Sequence, residues 1–136
     1  MSIENMNENL IKKEAEQSIL GSMLLNNDIV YLLEGLASDD FYFEAHKILF
    51  NTMLDLHKKK IPLDLVTISD NLREKGKLEA TGGVPYITSL STIVPTTLNI
   101  DYYIKIVKEA SEKRKIIRKA YGLIEDLQEG KGIDSS

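Results

Sequence analysis

The feature that most constrains this fold is one long helical pattern near the end of the chain. Apolar residues recur at helical spacing throughout residues 99–128. These residues are Tyr103, Ile104, Val107, Ala110, Ile117, Ala120, Tyr121, Ile124 and Leu127. A continuous helix of this extent is about 45 Å long at 1.5 Å per residue. Because a head built from residues 13–95 is too small to cover it, the pattern predicts a helix that projects from a compact head.

The preceding residues predict several shorter helices and no strand, so the predicted fold class is all-α. Asp28 and Asp64 are predicted N-caps, and Gly76 lies just beyond the end of the helix that Asp64 begins. Gly82 and Gly83 form the entry to a further short helix with Pro85 in its first turn. The predicted core residues are Phe41, Phe50, Leu54, Leu65, Ile68 and Tyr103.

Composition restricts the function classes that this chain can serve. The chain has 136 residues and a net charge of -4, and residues 108–119 alone carry +4, so the remainder carries -8. An autonomous DNA-binding protein needs a broad basic face, which such a chain lacks. There is no cysteine, so disulfides and zinc–thiolate sites are excluded. With no apolar run of about 20 residues and no signal-peptide pattern at the start, we expect a soluble, cytoplasmic protein.

The residue types that could support catalysis are not arranged for it. His46 and His57 lie about 16 Å apart on one predicted helix, too far to share a metal ion, and His46 among apolar neighbours indicates a hydrogen-bonded structural histidine. The glycines do not form the phosphate-binding P-loop pattern. Adjacent or i,i+2 acidic residues, as in Glu14/Glu16 and Asp39/Asp40, point apart on a helix. A hydrolase using His46 with Asp39 or Asp40 would lack a nucleophile or metal set. The sequence therefore predicts no catalytic, cofactor-binding or metal-binding residue.

The basic segment "KEASEKRKIIRK" at residues 108–119 allows two interpretations. One is a small helical nucleic-acid-binding protein that uses this segment. The other treats its charges as solvated sides of the projecting helix, beside a broad apolar stripe. That stripe consists of Ile116, Ile117, Ala120, Leu123, Ile124 and Leu127. Because direct DNA readout uses polar side chains on base edges and an exposed apolar stripe needs a covering partner, protein–protein contact is favoured.

Five segments, in order, carry a resemblance to a known family. They read "EAEQSILGSMLLNN" at 14–27, "DDFYFEAHKILFNTM" at 39–53, "IPLDLVTISDNL" at 61–72, "GGVPYITSL" at 82–90 and "VPTTLNIDYYIKIVKEASEKRKIIRKA" at 94–120. Together they resemble the N-terminal domain of bacterial replicative DNA helicases, the DnaB family. No single segment is a catalytic signature, and the strength of the resemblance lies in their order and spacing.

The resemblance implies a helical head followed by an antiparallel helical hairpin. It implies self-association through N-domains and hairpins, as dimers that form a trimer of dimers in a hexameric collar. It also implies a docking partner, the C-terminal helicase-binding domain of primase, and no sequence-specific DNA or membrane contact. The parent protein would be an ATP-dependent 5′–3′ DNA helicase, with ATP and magnesium bound only in a separate motor domain.

On this basis the chain divides into four regions. Residues 1–12 are a flexible arm, 13–98 the helical head, 99–129 the first hairpin helix and 130–136 a truncated hairpin loop. The second hairpin helix of the family has no counterpart before Ser136, so we expect the apolar stripe to be exposed here.

The resemblance also implies three partner-binding residues, namely Tyr86, Ile117 and Leu123. Tyr86 lies in the "GGVPY" segment, and Ile117 and Leu123 lie on the projecting helix. Each has an alternative role that the sequence leaves open: Tyr86 could belong to the core of the head, and the other two could face a second hairpin helix.

Overall fold

The structure, a computed structural model, describes residues 10–130, and all regular secondary structure in that part of the chain is helical. The α-helices are α1 Lys13–Leu25, α2 Glu44–Lys58, α3 Leu65–Glu74, α4 Gly83–Leu90 and α5 Ile100–Gln128. Short 3-10 helices cover Asn27–Leu33, Ser38–Asp40 and Glu79–Thr81. The all-α prediction is confirmed. Most of the predicted arm and tail lies outside the described residues.

Helix α1 lies at the centre of the head and packs against α2, α4 and α5. Ile19, Leu20 and Met23 are completely buried. Gly21 permits α1 to approach the end of α4 closely, because a Cβ at this position would lie 2.6 Å from the backbone oxygen of Leu90. A side chain here would push α4 away, so the glycine fixes how α1 and α4 meet.

The predicted start and end of α3 are confirmed. Asp64 is the N-cap of α3, since its Oδ1 accepts a hydrogen bond from the Thr67 N–H at 2.8 Å. Gly76, just beyond α3, has a φ of +68°. The prediction for Asp28 was wrong: Asn26 is the cap, and its Oδ1 accepts from the Asp28 N–H at 3.0 Å. The element begins at Asn27, one residue before the predicted cap, because the extended backbone of Asn26 already ends α1.

Most of the predicted core is confirmed. Phe41, Phe50 and Ile68 are fully buried, and Leu54 and Tyr103 pack against the core from partly exposed positions. The assignment of Leu65 was wrong, because it remains 37% exposed. Leu65 occupies the first turn of α3 at the edge of the head, whereas Ile68, one turn further along, is covered.

Helix α5 has 29 residues, which is about 43 Å at the usual rise per residue. Its buried positions end at Arg114, and every described residue from 115 to 130 is partly or fully exposed. The distal half therefore projects beyond the head, as predicted. None of the described helices is long and apolar enough to cross a membrane.

Candidate partner-binding surface

The basic segment of α5 is fastened to the head at Asp40, which is 1% exposed. Its carboxylate accepts hydrogen bonds from three α5 side chains: Ser111 at 2.7 Å, Lys115 at 3.1 Å and Lys108 at 3.2 Å. It also accepts from the backbone N–H of Ala37 at 2.8 Å, which closes the 38–40 turn. The spacing of Lys108, Ser111 and Lys115 places all three side chains on one side of the helix.

Arg114 provides a second set of contacts between α5 and the head, in addition to those of the Asp40 carboxylate. Its guanidinium is buried and donates one hydrogen bond to the carbonyl oxygen of Asp40 and one to that of Leu10, both at 2.8 Å. It also lies 5.5 Å from the centre of the Tyr42 ring. The prediction that the basic segment is solvated was therefore wrong for Arg114, whereas the side chains of Lys108 and Lys115 remain 40% and 49% exposed while they reach the Asp40 carboxylate. These cations meet a buried carboxylate and backbone carbonyls, contacts that helical periodicity does not reveal.

The ionisation of Asp40 should make the fold sensitive to acid. Burial alone would raise the pKa of this carboxyl, but the Ala37 N–H and the three α5 donors outweigh burial and lower the pKa from 3.8 to about 2. A pKa lowered by folding adds stability above the unfolded-state value and loses it as pH falls through the folded-state value. We expect the free energy of unfolding to fall by about 2 kcal/mol from this group between about pH 5 and pH 2.

Urea denaturation at a series of pH values measures this effect. Asp40→Asn should flatten the acid limb of the stability curve, while Asn at the exposed neighbour Asp39 should leave it unchanged. An acid limb of equal steepness in the wild type and in Asp40→Asn would show that Asp40 is not its source.

A second buried network connects α1, α2 and α4. Glu16 and His46 are each 1% exposed. The carboxylate of Glu16 accepts from His46 Nδ1 at 2.8 Å and from the Tyr42 N–H at 2.7 Å. On its other side, His46 Nε2 is hydrogen-bonded to the hydroxyl of Tyr86. The Gln17 side-chain amide donates a second hydrogen bond to this hydroxyl, at 3.0 Å. His46 is thus a hydrogen-bonded structural histidine, as predicted.

Tyr86, the first predicted partner-binding residue, is half-buried and held at both ends. Its hydroxyl binds His46 and Gln17, and its Cβ abuts Gly82, where an added Cβ would approach to 2.8 Å. Gly82 also has a φ of +91°, a conformation that side-chain-bearing residues rarely adopt. Tyr86 therefore packs against the core and also reaches the surface, which keeps both roles open to it.

Substitution of Gly82 should consequently be costly. We expect Gly82→Ala to lower the free energy of unfolding by about 1–3 kcal/mol, because it adds backbone strain and a clash with Tyr86. Gly35→Ala is the matched control, since a Cβ there meets no atom within 4 Å. Urea denaturation of both variants measures the difference. Equal stability of the two would contradict this account.

The ring of Tyr86 begins a series of contacts that reaches α5. We call Tyr42, Phe43, His46 and Tyr86 the aromatic strip. Ring centres lie 5.9 Å apart from Tyr86 to His46, 5.3 Å from His46 to Phe43 and 5.0 Å from Phe43 to Tyr42. Tyr42 then meets Arg114, one helical turn before Ile117. Tyr42, Phe43 and Tyr86 are partly exposed, so the strip forms a surface between α4 and α5.

The two predicted residues on α5 differ in setting. Ile117 is half-buried, whereas Leu123 is 52% exposed. At about 100° per residue, a separation of six positions places their side chains roughly 120° apart. Ile117 and Leu123 therefore lie at opposite edges of the broad apolar stripe predicted from the sequence. Ile124 lies beside Ile117, and Ile116 and Leu127 lie beside Leu123. The aromatic strip thus leads towards Ile117 and not towards Leu123.

Sequence reasoning missed Tyr42 and Phe43, although the aromatic cluster "FYF" at 41–43 was a visible signal. In residues 10–130, no group of three or more His, Asp or Glu side chains is arranged to hold a metal ion. This surface consists of aromatic and apolar side chains, and the Tyr86 hydroxyl and the Arg114 guanidinium lie beneath it. Such a surface suits protein recognition.

Comparison with known proteins gives the same family at three levels. A family model described as the DnaB-like helicase N terminal domain matches residues 8–109. The replicative DNA helicase DnaB of Buchnera aphidicola is 40% identical over 139 residues, which is 98% of this chain and 30% of the relative. The replicative DNA helicase DnaC of Bacillus subtilis is 42% identical over 114 residues, or 83% of this chain and 25% of the relative. The chain thus spans less than a third of these relatives.

Two solved structures share the fold. The N-terminal domain of DnaB helicase from Mycobacterium tuberculosis has a TM-score of 0.84 at 35% identity, covering 93% of this chain and 88% of that one. A DnaB-like replicative helicase, described together with its interactions with primase, has a TM-score of 0.74 at 31% identity. That match covers 85% of this chain and 27% of the helicase chain.

Proposed function

Because this chain belongs to the DnaB-like helicase N-terminal domain family, we propose that it is the assembly and primase-docking domain of a replicative DNA helicase. In this role it forms part of the collar of a hexamer and couples unwinding to primer synthesis in the cytoplasm. ATP and magnesium would act in a separate motor domain of the parent helicase. The domain itself would work by binding.

The observation that carries the docking proposal is the aromatic strip and its continuation into the exposed half of α5. Tyrosine and phenylalanine supply large contact areas at a low entropic cost, and they are enriched at interface centres. The similarity to a helicase described with its interactions with primase supports primase as the partner. Tyr86, Ile117 and Leu123 are the proposed contact residues.

The positions of Ile117 and Leu123 at opposite edges of the apolar stripe shape this proposal. A primase domain seated on the aromatic strip reaches Ile117 directly, and it must extend around the helix to reach Leu123. The side that contains Leu123 is also free for self-association, through a second hairpin helix or a second copy of the domain. We therefore expect the loss of Tyr86 or Ile117 to affect primase binding more than the loss of Leu123.

Calorimetric titration of the primase C-terminal domain into variants of the chain tests the assignment. We expect Tyr86→Ala and Ile117→Ala each to weaken binding about tenfold or more, as truncated interface anchors do, and Leu123→Ala to weaken it less. Val66→Ala is the control, because Val66 lies on α3, is 70% exposed and is not part of the strip. Unchanged affinity in all three variants, each confirmed to be folded, would refute the site.

The nucleic-acid alternative is weakened by the contacts of the basic segment. Lys108, Arg114 and Lys115 are engaged with Asp40 or with backbone carbonyls. The cations that remain are Lys113, Arg118 and Lys119, and they share the helix with Glu109 and Glu112. Three exposed cations beside two acids do not make the basic face that phosphate binding requires.

A further inference from the structure

We propose that Glu16 and His46 are positioning residues for partner binding, because they orient the Tyr86 ring from inside the head. This inference rests on the docking function proposed above, in which Tyr86 contacts primase. It assigns a role in recognition to two buried side chains that lie outside the predicted contact surface.

Burial separates these two residues from the partner. Glu16 and His46 are each 1% exposed, so neither can touch a protein that docks on the surface. Any effect of either residue on affinity must pass through a neighbour. Tyr86 is the partly exposed neighbour whose side chain is hydrogen-bonded to His46, since its hydroxyl binds His46 Nε2 and its ring lies nearly parallel to that of His46, at 11°.

With His46 neutral, the hydrogen bonds allow one consistent direction along the network. The Glu16 carboxylate is an acceptor only, and it already accepts from the Tyr42 N–H, so His46 donates through Nδ1–H. His46 Nε2 is then the acceptor, and the Tyr86 O–H must donate to it. The Tyr86 oxygen in turn accepts a hydrogen bond from Gln17. Glu16 therefore sets the tautomer of His46, and that tautomer sets the direction of the Tyr86 hydroxyl.

This arrangement fixes the tyrosine before a partner arrives. Gly82 confines the Cβ end of the side chain, and His46 confines the hydroxyl end. Rotation of the ring away from this position would leave a buried histidine nitrogen without a hydrogen-bond partner, which is unfavourable. A side chain that is already ordered loses less entropy on binding. The benefit of the network should therefore appear as affinity for the partner.

A double-mutant cycle on the 136-residue chain tests the inference. The four proteins are the wild type, His46→Gln, Tyr86→Phe and the double variant, each titrated with the primase C-terminal domain after its folding has been checked. Tyr86→Phe keeps the ring and removes only the hydroxyl. We expect each single variant to bind about 3- to 10-fold more weakly, and the double variant to bind no more weakly than the weaker single variant, because both substitutions break the same bond. Tyr31→Phe removes the hydroxyl of a tyrosine that is 67% exposed, and it should leave affinity unchanged.

If His46 has a purely structural role, we expect a different affinity for the double variant. In that case the two losses multiply in the double variant, and this result would overturn the inference, as would unchanged affinity in both single variants. If His46→Gln does not fold, Glu16→Gln takes its place in the cycle.

Nitrogen-15 shifts of the histidine ring give an independent readout, with protonated Nδ1 and unprotonated Nε2 expected in the wild type. Protonated Nε2 would also overturn the inference.

The cycle separates this inference from the function on which it rests. If the wild type binds primase and Ile117→Ala weakens binding while His46→Gln and Tyr86→Phe do not, the docking function stands and the positioning role is wrong. If the wild-type chain does not bind the primase domain, the docking function fails, and the positioning role fails with it.

Discussion

Replacing Arg114 with alanine should lower the free energy of unfolding by about 3–5 kcal/mol. The substitution removes one of the largest fully buried side chains in the described part of the chain. It also leaves the carbonyl oxygens of Leu10 and Asp40 without the donors that they have at 2.8 Å. The Asp40 carbonyl is buried, and a buried acceptor left unpaired costs about 1–3 kcal/mol. The lost bond to the partly buried Leu10 carbonyl and the lost packing of the long side chain add to this cost.

Arg118→Ala is the matched control for Arg114→Ala. Arg118 lies four residues further along the same helix and is exposed, so its loss should change the free energy of unfolding by less than about 0.5 kcal/mol. Urea denaturation at neutral pH measures both variants. Equal stabilities would mean that α5 is not fastened to the head through Arg114.

Glu16→Ala should produce a loss of similar size, about 3–5 kcal/mol, for a different reason. The carboxylate of Glu16 accepts from His46 Nδ1–H and from the Tyr42 N–H, and its removal leaves both donors without their acceptor and the histidine donor buried. Because the network also ends on Tyr86, the aromatic strip should lose its fixed shape in this variant.

Glu14→Ala provides the comparison for Glu16→Ala, since both acids lie in the first turn of α1 and Glu14 is exposed. We expect Glu14→Ala to change stability by no more than about 0.5 kcal/mol, measured by thermal and urea denaturation. A loss in Glu14→Ala as large as that in Glu16→Ala would point to helix-end electrostatics as the source, instead of the buried network.

The elements that could be predicted from the sequence are those set by neighbouring residues. Helix α5 follows from apolar spacing within one segment, and the start of α3 follows from the contact between Asp64 and Thr67, three residues apart. The cap at Asn26 was not predicted, because Asn and Asp both cap helices and the sequence does not show that Asn26 has the extended backbone.

The contacts that could not be predicted join residues far apart in the chain. Arg114 was expected in solvent because a charged residue on a helix is exposed by default, whereas its partner Asp40 lies 74 residues away. The network from Glu16 through His46 to Tyr86 spans three helices and leaves no periodic signal. At the candidate site, Tyr86, Ile117 and Leu123 came from the family resemblance, and the aromatic strip that leads from Tyr86 towards Ile117 became visible only in three dimensions.

The central claim is that this domain recognises a protein partner, and one titration tests it most directly. The chain is titrated with the C-terminal helicase-binding domain of primase from the same organism and, separately, with single-stranded and duplex DNA at two salt concentrations. The account predicts saturable binding to the primase domain that Ile117→Ala weakens, and no appreciable binding to either DNA. Salt-sensitive DNA binding by the wild type, with no binding to the primase domain, would contradict it.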